Sequence, residues 1–341
     1  MKKVMVTGHR GYIGVHLVDL LKAAGYQVTG VDIDLFEGCE WENFVKPDRE
    51  LAKDIRHLTL KDMEGHDCVM HLAAISNDPM GDLDADVTYN INREGSFNLA
   101  KLAKQAGIPR FLFSSSCSIY GKGDKLDVTE EDPVAPLTAY AESKIFAEQQ
   151  IQKLADDSFS PAFLRNATAY GHSPMLRIDL VVNNLLACAL ARGDIRVMSD
   201  GSPWRPLIHC RDIARAFIAF MNAPKDKIHN RVVNIGANAE NFQVRDVLNK
   251  VQKLVPKANV VYTGEVGADP RNYRVNFDLL GQLLPGFSLC YTLDSGMEEL
   301  HRQYIDKGFS SADFDGDQFV RLRTLKKRLH KITSQGLQHA F

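Results

Sequence analysis

The stretch Lys3-Val4-Met5-Val6-Thr7-Gly8-His9-Arg10-Gly11-Tyr12-Ile13-Gly14 decides the fold of this chain. Its first part, Lys3–Thr7, is short, apolar and rich in β-branched residues, and a glycine-rich turn follows it at once. Such a run predicts a buried strand that turns tightly into a helix, here over Tyr12–Ala24. The apolar run is too short for a signal peptide and breaks at Gly8, so it is interpreted as a first strand.

Strands and helices continue to alternate through the first half of the chain. Short apolar runs at Gln27–Asp32, Cys68–Leu72 and Arg110–Ser114 predict further buried strands, with a helix over Asn90–Ala106. Phe163–Arg165 predicts one more strand. This alternation indicates an α/β fold, a doubly wound parallel sheet of the Rossmann type with helices on both faces.

The pattern changes after about Asn166. Helical stretches are now separated by short strands such as Val232–Ile235 and Val260–Tyr262; these stretches are Leu180–Arg192, Asp212–Asn222, Val244–Leu254 and Asp294–Lys307. We expect residues 1–165 to form the Rossmann domain. Residues 166–341 should form mainly a smaller, mixed α/β substrate lobe, with some chain returning to the first domain. The basic stretch Arg321–Lys331 predicts a solvated surface helix.

Composition excludes several classes of protein. The 341 residues are 45% hydrophobic and carry a formal net charge of -2, so neither nucleic acid nor a membrane surface is an expected partner. The best candidate for a membrane span, near Leu180–Leu190, is interrupted by Asn183 and Asn184. The six cysteines show no C-x-x-C spacing, which argues against a disulfide framework or a zinc site. We therefore expect no metal and a cytoplasmic location.

The glycine spacing after the first strand predicts a dinucleotide site. Gly8, Gly11 and Gly14 would serve a tight turn, a close approach of backbone to the pyrophosphate, and close packing of helix on sheet. The helix that begins around Tyr12 and Ile13 would then face the phosphates with unpaired N–H groups and a favourable dipole.

Two acidic positions bear on the rest of the dinucleotide. Asp32 ends the second predicted strand, eighteen residues after Gly14, close to the offset of the acid that binds the ribose hydroxyls. A carboxylate there favours NAD over NADP, whereas Arg10 in the turn could reach a 2′-phosphate. Asp54 and Ile55 could contact the adenine edge, although Asp54 could equally be a surface acid.

A further stretch should approach the cofactor from the third predicted strand. Leu72, Ala73 and Ala74 follow His71 at its end, and small residues there would let the backbone pass close to the dinucleotide. A lone histidine in the position of His71 is more often structural than catalytic.

Tyr140-Ala141-Glu142-Ser143-Lys144 carries the expected chemistry. The i, i+4 spacing places Tyr140 and Lys144 on one helical face. We expect the ammonium group, about 4 Å away, to lower the pKa of the phenol by about 3 and so to make Tyr140 a general acid/base. Ser116, in the serine run that ends the preceding strand, can hydrogen-bond the substrate oxygen.

These motifs together resemble the extended short-chain dehydrogenase/reductases. In order they are G-x-x-G-x-x-G, Asp32, H-L-A-A, Asn92-x-x-Gly95, S-S-S-x-x-x-Y-G and Y-x-x-x-K. The best-known members of that family are the UDP-glucose 4-epimerases and their nucleotide-sugar relatives. The resemblance implies NAD as cofactor, a nucleotide-sugar substrate and a homodimer formed through two helices of the first domain. It also implies catalytic roles for Ser116, Tyr140 and Lys144, and places Asn92 and Ser114 near the cofactor.

The second lobe resembles the same family. The segment from Trp204 to His209, followed by Asp212, is similar to the family's R-x-x-x-H-x-x-D, whose arginine, here Arg205, approaches the nucleotide diphosphate. By the same resemblance Arg271 is a second diphosphate ligand. The remaining positions that the resemblance assigns to the substrate site are His209, Asn183, Asn184, Thr168 and His172.

Departures from the family pattern narrow the activity. Sugar 4,6-dehydratases carry an Asp-Glu pair where this chain has Cys117 and Ser118, so a 4,6-dehydratase is not expected. Thr168 and His172 replace the usual asparagine and proline around the Y-G turn, and His172 could contact the sugar or be a structural loop residue.

The leading hypothesis is an NAD-dependent oxidoreductase or epimerase that acts by hydride transfer, at C4 of a nucleotide-activated sugar. The alternatives are a nucleotide-sugar 4-ketoreductase or 4-dehydrogenase, which would use the same residues. A non-catalytic NAD-sensing protein on the same fold is a remoter possibility. The residues leave the nucleotide base and the sugar open.

Overall fold

The computed structural model describes residues 2–76, 78–121, 127–197, 200–262 and 271–334. In chain order the strands are β1 (Lys3–Thr7), β2 (Gln27–Asp32), β3 (Arg49–Ala52), β4 (Cys68–His71), β5 (Arg110–Ser116), β6 (Asp127–Val128), β7 (Ser160–Asn166), β8 (Thr168–Tyr170), β9 (Asp194–Val197), β10 (Trp204–His209), β11 (Arg231–Ile235), β12 (Asn241–Gln243), β13 (Asn259–Tyr262) and β14 (Arg274–Val275).

The α-helices are α1 (Gly14–Ala23), α2 (Leu60–Met63), α3 (Asp78–Gly81), α4 (Ala85–Thr88), α5 (Ser96–Gln105), α6 (Ala139–Gln152), α7 (Val181–Arg192), α8 (Cys210–Asn222), α9 (Lys225–Ile228), α10 (Val244–Leu254), α11 (Asp278–Leu283), α12 (Leu293–Asp306), α13 (Ser311–Asp315) and α14 (Arg321–Ser334). A π-helical segment, Tyr89–Gly95, leads directly into α5. The regular helix predicted over Asn90–Ala106 is therefore wrong in its first two turns.

Seven parallel strands form the central sheet, in the order β11-β7-β5-β4-β1-β2-β3. The order reverses between β1 and β4, which is where a doubly wound sheet binds its ligands. The registers bring the carboxyl ends of β1, β2, β4 and β5 to one edge, since Thr7 pairs with both Val31 and His71. This sheet, with helices on both faces, confirms the predicted Rossmann-type fold.

The second half of the chain supplies both a separate lobe and part of the first sheet. The lobe contains the mixed sheet β12-β10-β8 and the parallel pair β13-β9. By contrast, β11 is the edge strand of the central sheet, beside β7. In the same way α8 packs on that sheet, because Phe217 and Phe220 share a buried cluster with Leu17 of α1. The exact division at residue 165 stays a prediction.

One face of the C-terminal helix α14 is buried. Arg321 is 3% exposed and donates to the backbone carbonyls of Met175 and Leu176, while Thr324 and Leu325 are also buried. Arg328 donates to the carbonyl of Leu35. The prediction of a fully solvated helix is wrong, because these contacts with distant loops cannot be read from the basic composition. Within the described ranges, no helix is both long and apolar enough to cross a membrane.

Candidate active site

The glycine turn after β1 is shaped by three close approaches. Gly8 has φ +74°, and a Cβ there would lie 2.7 Å from the Ala73 nitrogen. A Cβ on Gly14 would lie 2.1 Å from the Gly8 carbonyl oxygen, and one on Gly11 3.1 Å from the same atom. No side chain of the described residues caps α1 at Ile13. A narrow backbone cradle beside an uncapped helix N-terminus fits a dinucleotide pyrophosphate.

The half-buried Asp32 carboxylate lies at the carboxyl end of β2, directly beside this turn. Its two oxygens accept the backbone N–H groups of Arg10, at 3.1 Å, and of Asp34, at 3.0 Å. Two fixed donors orient the carboxylate and leave lone pairs on both oxygens. This geometry fits recognition of ribose hydroxyls.

Other residues that were predicted to contact the cofactor are engaged by groups within the protein. Tyr12 is buried and its hydroxyl donates to the Gly171 carbonyl at 2.6 Å, so it can face the pyrophosphate with its backbone alone. Burial raises the pKa of Asp54, yet hydrogen bonds from Arg56 hold it below its ordinary value. Ile55 is buried in the core. The adenine contacts of Asp54 and Ile55 stay predictions.

Asn92 ties the loop after β4 to the helix that carries Tyr140. Its side-chain oxygen accepts the Ile75 N–H at 2.9 Å, and its amide nitrogen donates to the Ile75 carbonyl and to Ser143 Oγ. The side chain is 1% exposed and lies on the π-helical segment. Asn92 therefore positions the loop Leu72-Ala73-Ala74. In this loop the backbone nitrogen of Ala73 faces Gly8.

His71 is structural. It lies between Thr7 Oγ1 at 2.6 Å and Ser96 Oγ at 2.8 Å, and burial, aided by the charge of Lys144, lowers its pKa to about 3. It therefore remains neutral at physiological pH and fixes β4 against β1.

The structure brings Ser116, Tyr140 and Lys144 together. Thr138 caps α6 by accepting the Ala141 N–H, which places Tyr140 in the first turn of the helix and Lys144 one turn later. Ser116 lies near the Tyr140 phenol and acts to lower its pKa. Lys144 Nζ donates to the Ser114 carbonyl at 2.8 Å and lies 5.6 Å from the centre of the Tyr140 ring. The three side chains predicted from widely separated motifs thus form one cluster.

The electrostatics of this cluster differ from the prediction. Burial, together with the negative charge of Asp78, raises the pKa of Tyr140 to about 12, against the lowering influence of Ser116, Arg177 and Arg271. Burial also lowers the pKa of Lys144 to about 8. The expected lowering of the tyrosine pKa by Lys144 is wrong, because desolvation of the phenol outweighs the nearby charges.

Asp78 was missed by the sequence reasoning. It begins α3, accepts a hydrogen bond from Thr138 Oγ1, and pairs with Arg271 at 2.6 Å. The helix lies against Tyr140, since a Cβ on Gly81 would be 3.1 Å from the tyrosine Cβ. The available signal was an acid followed by proline and glycine shortly after the third predicted strand.

Arg177 is the second missed residue. It is buried, pairs with Asp179 at 2.7 Å, and its Nη1 donates to Ser76 Oγ at 3.2 Å. Its charge acts on both Tyr12 and Tyr140. The signal was an arginine and an aspartate, two residues apart, inside an apolar segment.

The two arginines expected at a diphosphate lie side by side. Nη1 of Arg205 donates to the carbonyls of Trp204, at 2.8 Å, and Arg271, at 2.5 Å. Because Arg271 also pairs with Asp78, this arginine pair is linked to the Tyr140 cluster. Asp269 and Pro270, which precede Arg271 in the predicted segment, lie outside the described residues.

The two asparagines of α7 form hydrogen bonds with other groups of the protein. Asn183 is completely buried, and its amide donates to Tyr12 Oη, the Gly171 carbonyl and the Arg177 carbonyl while accepting the Gly171 N–H. The amide is used inside the protein, and the contact of Asn183 with substrate stays a prediction. Asn184 donates to the Ile178 carbonyl at 2.9 Å. Thr168 begins β8, opposite Leu207.

His172 and His209 lie in the same region, each beside a glutamate. His209 is 1% exposed, caps α8 by accepting the Arg211 N–H, and lies 3.1 Å from Glu299. His172 lies 3.0 Å from Glu42. Both line a cleft of about 370 Å³ with His16, and Tyr140 is not among its lining residues. The imidazole of His209 stacks on Tyr291 and caps α8, and its role in substrate binding stays a prediction.

The chain is similar to known nucleotide-sugar enzymes over most of its length. Residues 4–236 match the NAD dependent epimerase/dehydratase family. UDP-glucose 4-epimerase of Mus musculus is 27% identical over 300 residues, which cover 75% of this chain and 83% of the mouse protein.

Solved structures are similar over the whole fold. MoeE5, solved in complex with UDP-glucose and NAD, has a TM-score of 0.76 at 27% identity and covers 89% of this chain and 99% of its own. The NAD-dependent NDP-hexosamine 5,6-dehydratase TunA has a TM-score of 0.79 at 24% identity, covering 90% and 98%. This chain is thus a member of the NAD-dependent epimerase/dehydratase family, which confirms the resemblance drawn from its motifs and the prediction of NAD as cofactor.

Proposed function

We propose that this chain is an NAD-dependent epimerase that inverts C4 of a nucleotide-activated sugar. The observation that carries the proposal is the cluster of Ser116, Tyr140 and Lys144, in which Lys144 lies one helical turn after Tyr140 and 5.6 Å from the centre of its ring. NAD, held by the Gly8 turn and Asp32, would supply the hydride chemistry when bound. Epimerisation leaves no net redox change, so one set of residues can serve both halves of the reaction.

Tyr140 is the proposed general acid/base. A pKa of about 12 keeps its hydroxyl protonated at neutral pH, so it can donate a proton to a ketone oxygen. To accept a proton from the sugar hydroxyl it needs its pKa lowered. Ser116, Arg177 and Arg271 act in that direction, and Ser116 can also hold the substrate oxygen. Lys144, fixed on the Ser114 carbonyl, is proposed to orient the cofactor ribose beside the tyrosine.

Arg205 and Arg271 are the proposed diphosphate ligands. Each guanidinium group can make two hydrogen bonds to phosphate oxygens, which would fix the sugar relative to Tyr140. The ion pair between Arg271 and Asp78 supports this arrangement, because it holds one arginine next to the catalytic helix. The remaining candidates for contacts with the sugar or its nucleotide are Thr168, His172, Asn183, Asn184 and His209.

Oxidation at C4 followed by elimination of water across C5 and C6, the reaction of a 4,6-dehydratase, is not part of the proposal. Cys117 is 1% exposed, donates from Sγ to the Arg165 carbonyl at 3.2 Å, and burial raises the pKa of its thiol. Ser118 is buried as well. Neither residue can replace the Asp-Glu pair of a 4,6-dehydratase. The similar structure TunA is, by its name, an NDP-hexosamine 5,6-dehydratase, so dehydration does occur on this fold.

The test presents candidate nucleotide sugars to the purified protein and follows the configuration at C4 by NMR, with and without added NAD⁺. Interconversion of the two C4 epimers without net oxidation is the expected result. Accumulation of a 4-ketone, or its consumption, would instead indicate a dehydrogenase or ketoreductase. A protein that binds NAD without turning over any nucleotide sugar would be a sensor, and the proposal would fail.

Tyr140→Phe tests the catalytic assignment. We expect turnover to fall by about 10² or more, the range for loss of a general acid/base, with cofactor affinity nearly unchanged. Tyr89→Phe is the matched control, because Tyr89 bonds the exposed Glu142 on the same helix. Full activity in Tyr140→Phe would overturn the mechanism while leaving the cofactor site intact.

A further inference from the structure

Arg10 poses a question about cofactor selection that Asp32 alone does not answer. It lies inside the glycine turn, and its backbone N–H binds the Asp32 carboxylate. A guanidinium group in this position is the kind of cation that recognises a 2′-phosphate, so it should favour NADP over NAD. The structure shows which side chains form ion pairs with the Arg10 guanidinium.

Two carboxylates hold the Arg10 side chain. Its Nη1 pairs with Asp34, and its Nε lies 3.5 Å from Glu50 Oε1. Glu50 is itself fixed by His9 Nε2 at 2.9 Å. The His9 ring packs against Gly30 of β2, where a Cβ would come within 2.5 Å of the ring. The ion-paired cluster is thus anchored to the sheet through His9, while the Glu50 side chain is 37% exposed.

The backbone at Asp34 is held in a conformation that its residue type rarely adopts. Its φ is +53°, a left-handed value that within the described residues only Asn230 shares among non-glycine positions. Its N–H donates to Asp32, and its Oδ1 is buried without a hydrogen-bond partner. Strained non-glycine residues persist where the surroundings over-determine them, often at ligand sites. Here the strained turn places a second carboxylate beside Asp32 and against Arg10.

We propose that Asp34 and Glu50 hold the Arg10 guanidinium in an ion-pair cluster and thereby disfavour binding of a 2′-phosphate at the ribose end of the site. Asp32 binds the hydroxyls, and the cluster removes the cation that would otherwise accept the phosphate. Asp34 and Glu50 are therefore specificity-determining residues in addition to Asp32, whatever sugar the enzyme converts.

The experiment measures the affinities of the full-length protein for NAD⁺ and NADP⁺ by titration calorimetry. The double variant Asp34→Asn/Glu50→Gln frees Arg10, and we expect its NADP⁺ affinity to rise by about tenfold or more, the gain typical of an arginine–phosphate contact. Adding Arg10→Ala to that variant should abolish most of the gain. Arg10→Ala alone should leave NADP⁺ affinity unchanged, since the side chain is already occupied.

Two glycine variants test whether relief of backbone strain by itself changes the cofactor preference. Asp34→Gly removes both the carboxylate and the strain, and we expect it to improve the NADP⁺/NAD⁺ affinity ratio. Asn230→Gly relieves the same kind of strain just before β11, at the opposite end of the sheet, and should leave that ratio unchanged. Melting temperatures of all variants establish that they fold. The proposal is overturned if the double variant gains no NADP⁺ affinity, or if the gain survives removal of Arg10.

Discussion

Lys144→Met should make this protein more stable at neutral pH while it destroys turnover. Lys144 is 4% exposed, and burial lowers the pKa of its amino group from 10.5 to about 8. At about 1.36 kcal/mol per pKa unit, keeping the group charged costs the folded state about 3 kcal/mol. Methionine has nearly the same length and no charge. The Ser114 carbonyl loses its Nζ donor, which costs about 1 kcal/mol, so the net gain is about 2 kcal/mol.

The sign of the pH dependence follows from the lowered pKa. Below pH 8 the lysine is protonated in both folded and unfolded chains, so the full penalty is present. As pH rises from about 8 to 10.5 the folded protein loses the proton first, and the penalty disappears. The stability advantage of Lys144→Met should therefore be largest at neutral pH and vanish towards pH 10.5.

Urea unfolding at a series of pH values measures this advantage. Lys153→Met, near the end of the same helix, is the control, because Lys153 is exposed and its replacement should have no comparable effect. Two results would refute the reasoning: a Lys144→Met protein less stable than the parent at pH 7, or a stability difference that does not change with pH. Turnover of the variant, measured in parallel, shows whether the costly charge is retained for function.

Two further predictions concern the neighbours of Tyr140. Asp78→Asn removes a negative charge that raises the pKa of Tyr140, so the rising limb of the pH–rate profile should move to lower pH. The exposed Asp82→Asn is its control, and an unchanged profile in Asp78→Asn would contradict the electrostatic account. We also propose a homodimer formed through α5 and α6, whose Phe97, Leu102, Ile145 and Phe146 are only half-buried in one chain. Light scattering at micromolar concentration should give twice the chain mass, and a monomer would disprove it.

The sequence by itself determined the parts of the fold whose signals are local. A short apolar run, a glycine turn and a helix form a continuous pattern, so β1, the turn at Gly8 and most of α1 could be predicted to within a few residues. The Ser116–Tyr140–Lys144 cluster was also predictable. Each residue lies at the end of a strand or the start of a helix, and the sheet topology brings such ends to one edge.

Tertiary structure decided everything that depends on a partner distant in the sequence. Whether Arg10 is a free cation depends on Glu50, forty residues away, and whether Asn183 faces a ligand depends on Tyr12. The same residue types in the same motif are compatible with either outcome. His209 and Asn183 are buried by packing between elements, and the local periodicity of apolar residues in the sequence does not encode that packing.

The clearest case is the pKa of Tyr140. The i, i+4 spacing correctly places a lysine on the same helical face, and from the pair alone the tyrosine pKa should fall. The folded chain buries the phenol and brings Asp78 beside it, so the pKa rises instead. Spacing along a helix fixes which side chains can meet. The free energy of ionising those side chains depends on how much water the rest of the fold removes, and only the tertiary structure determines that amount.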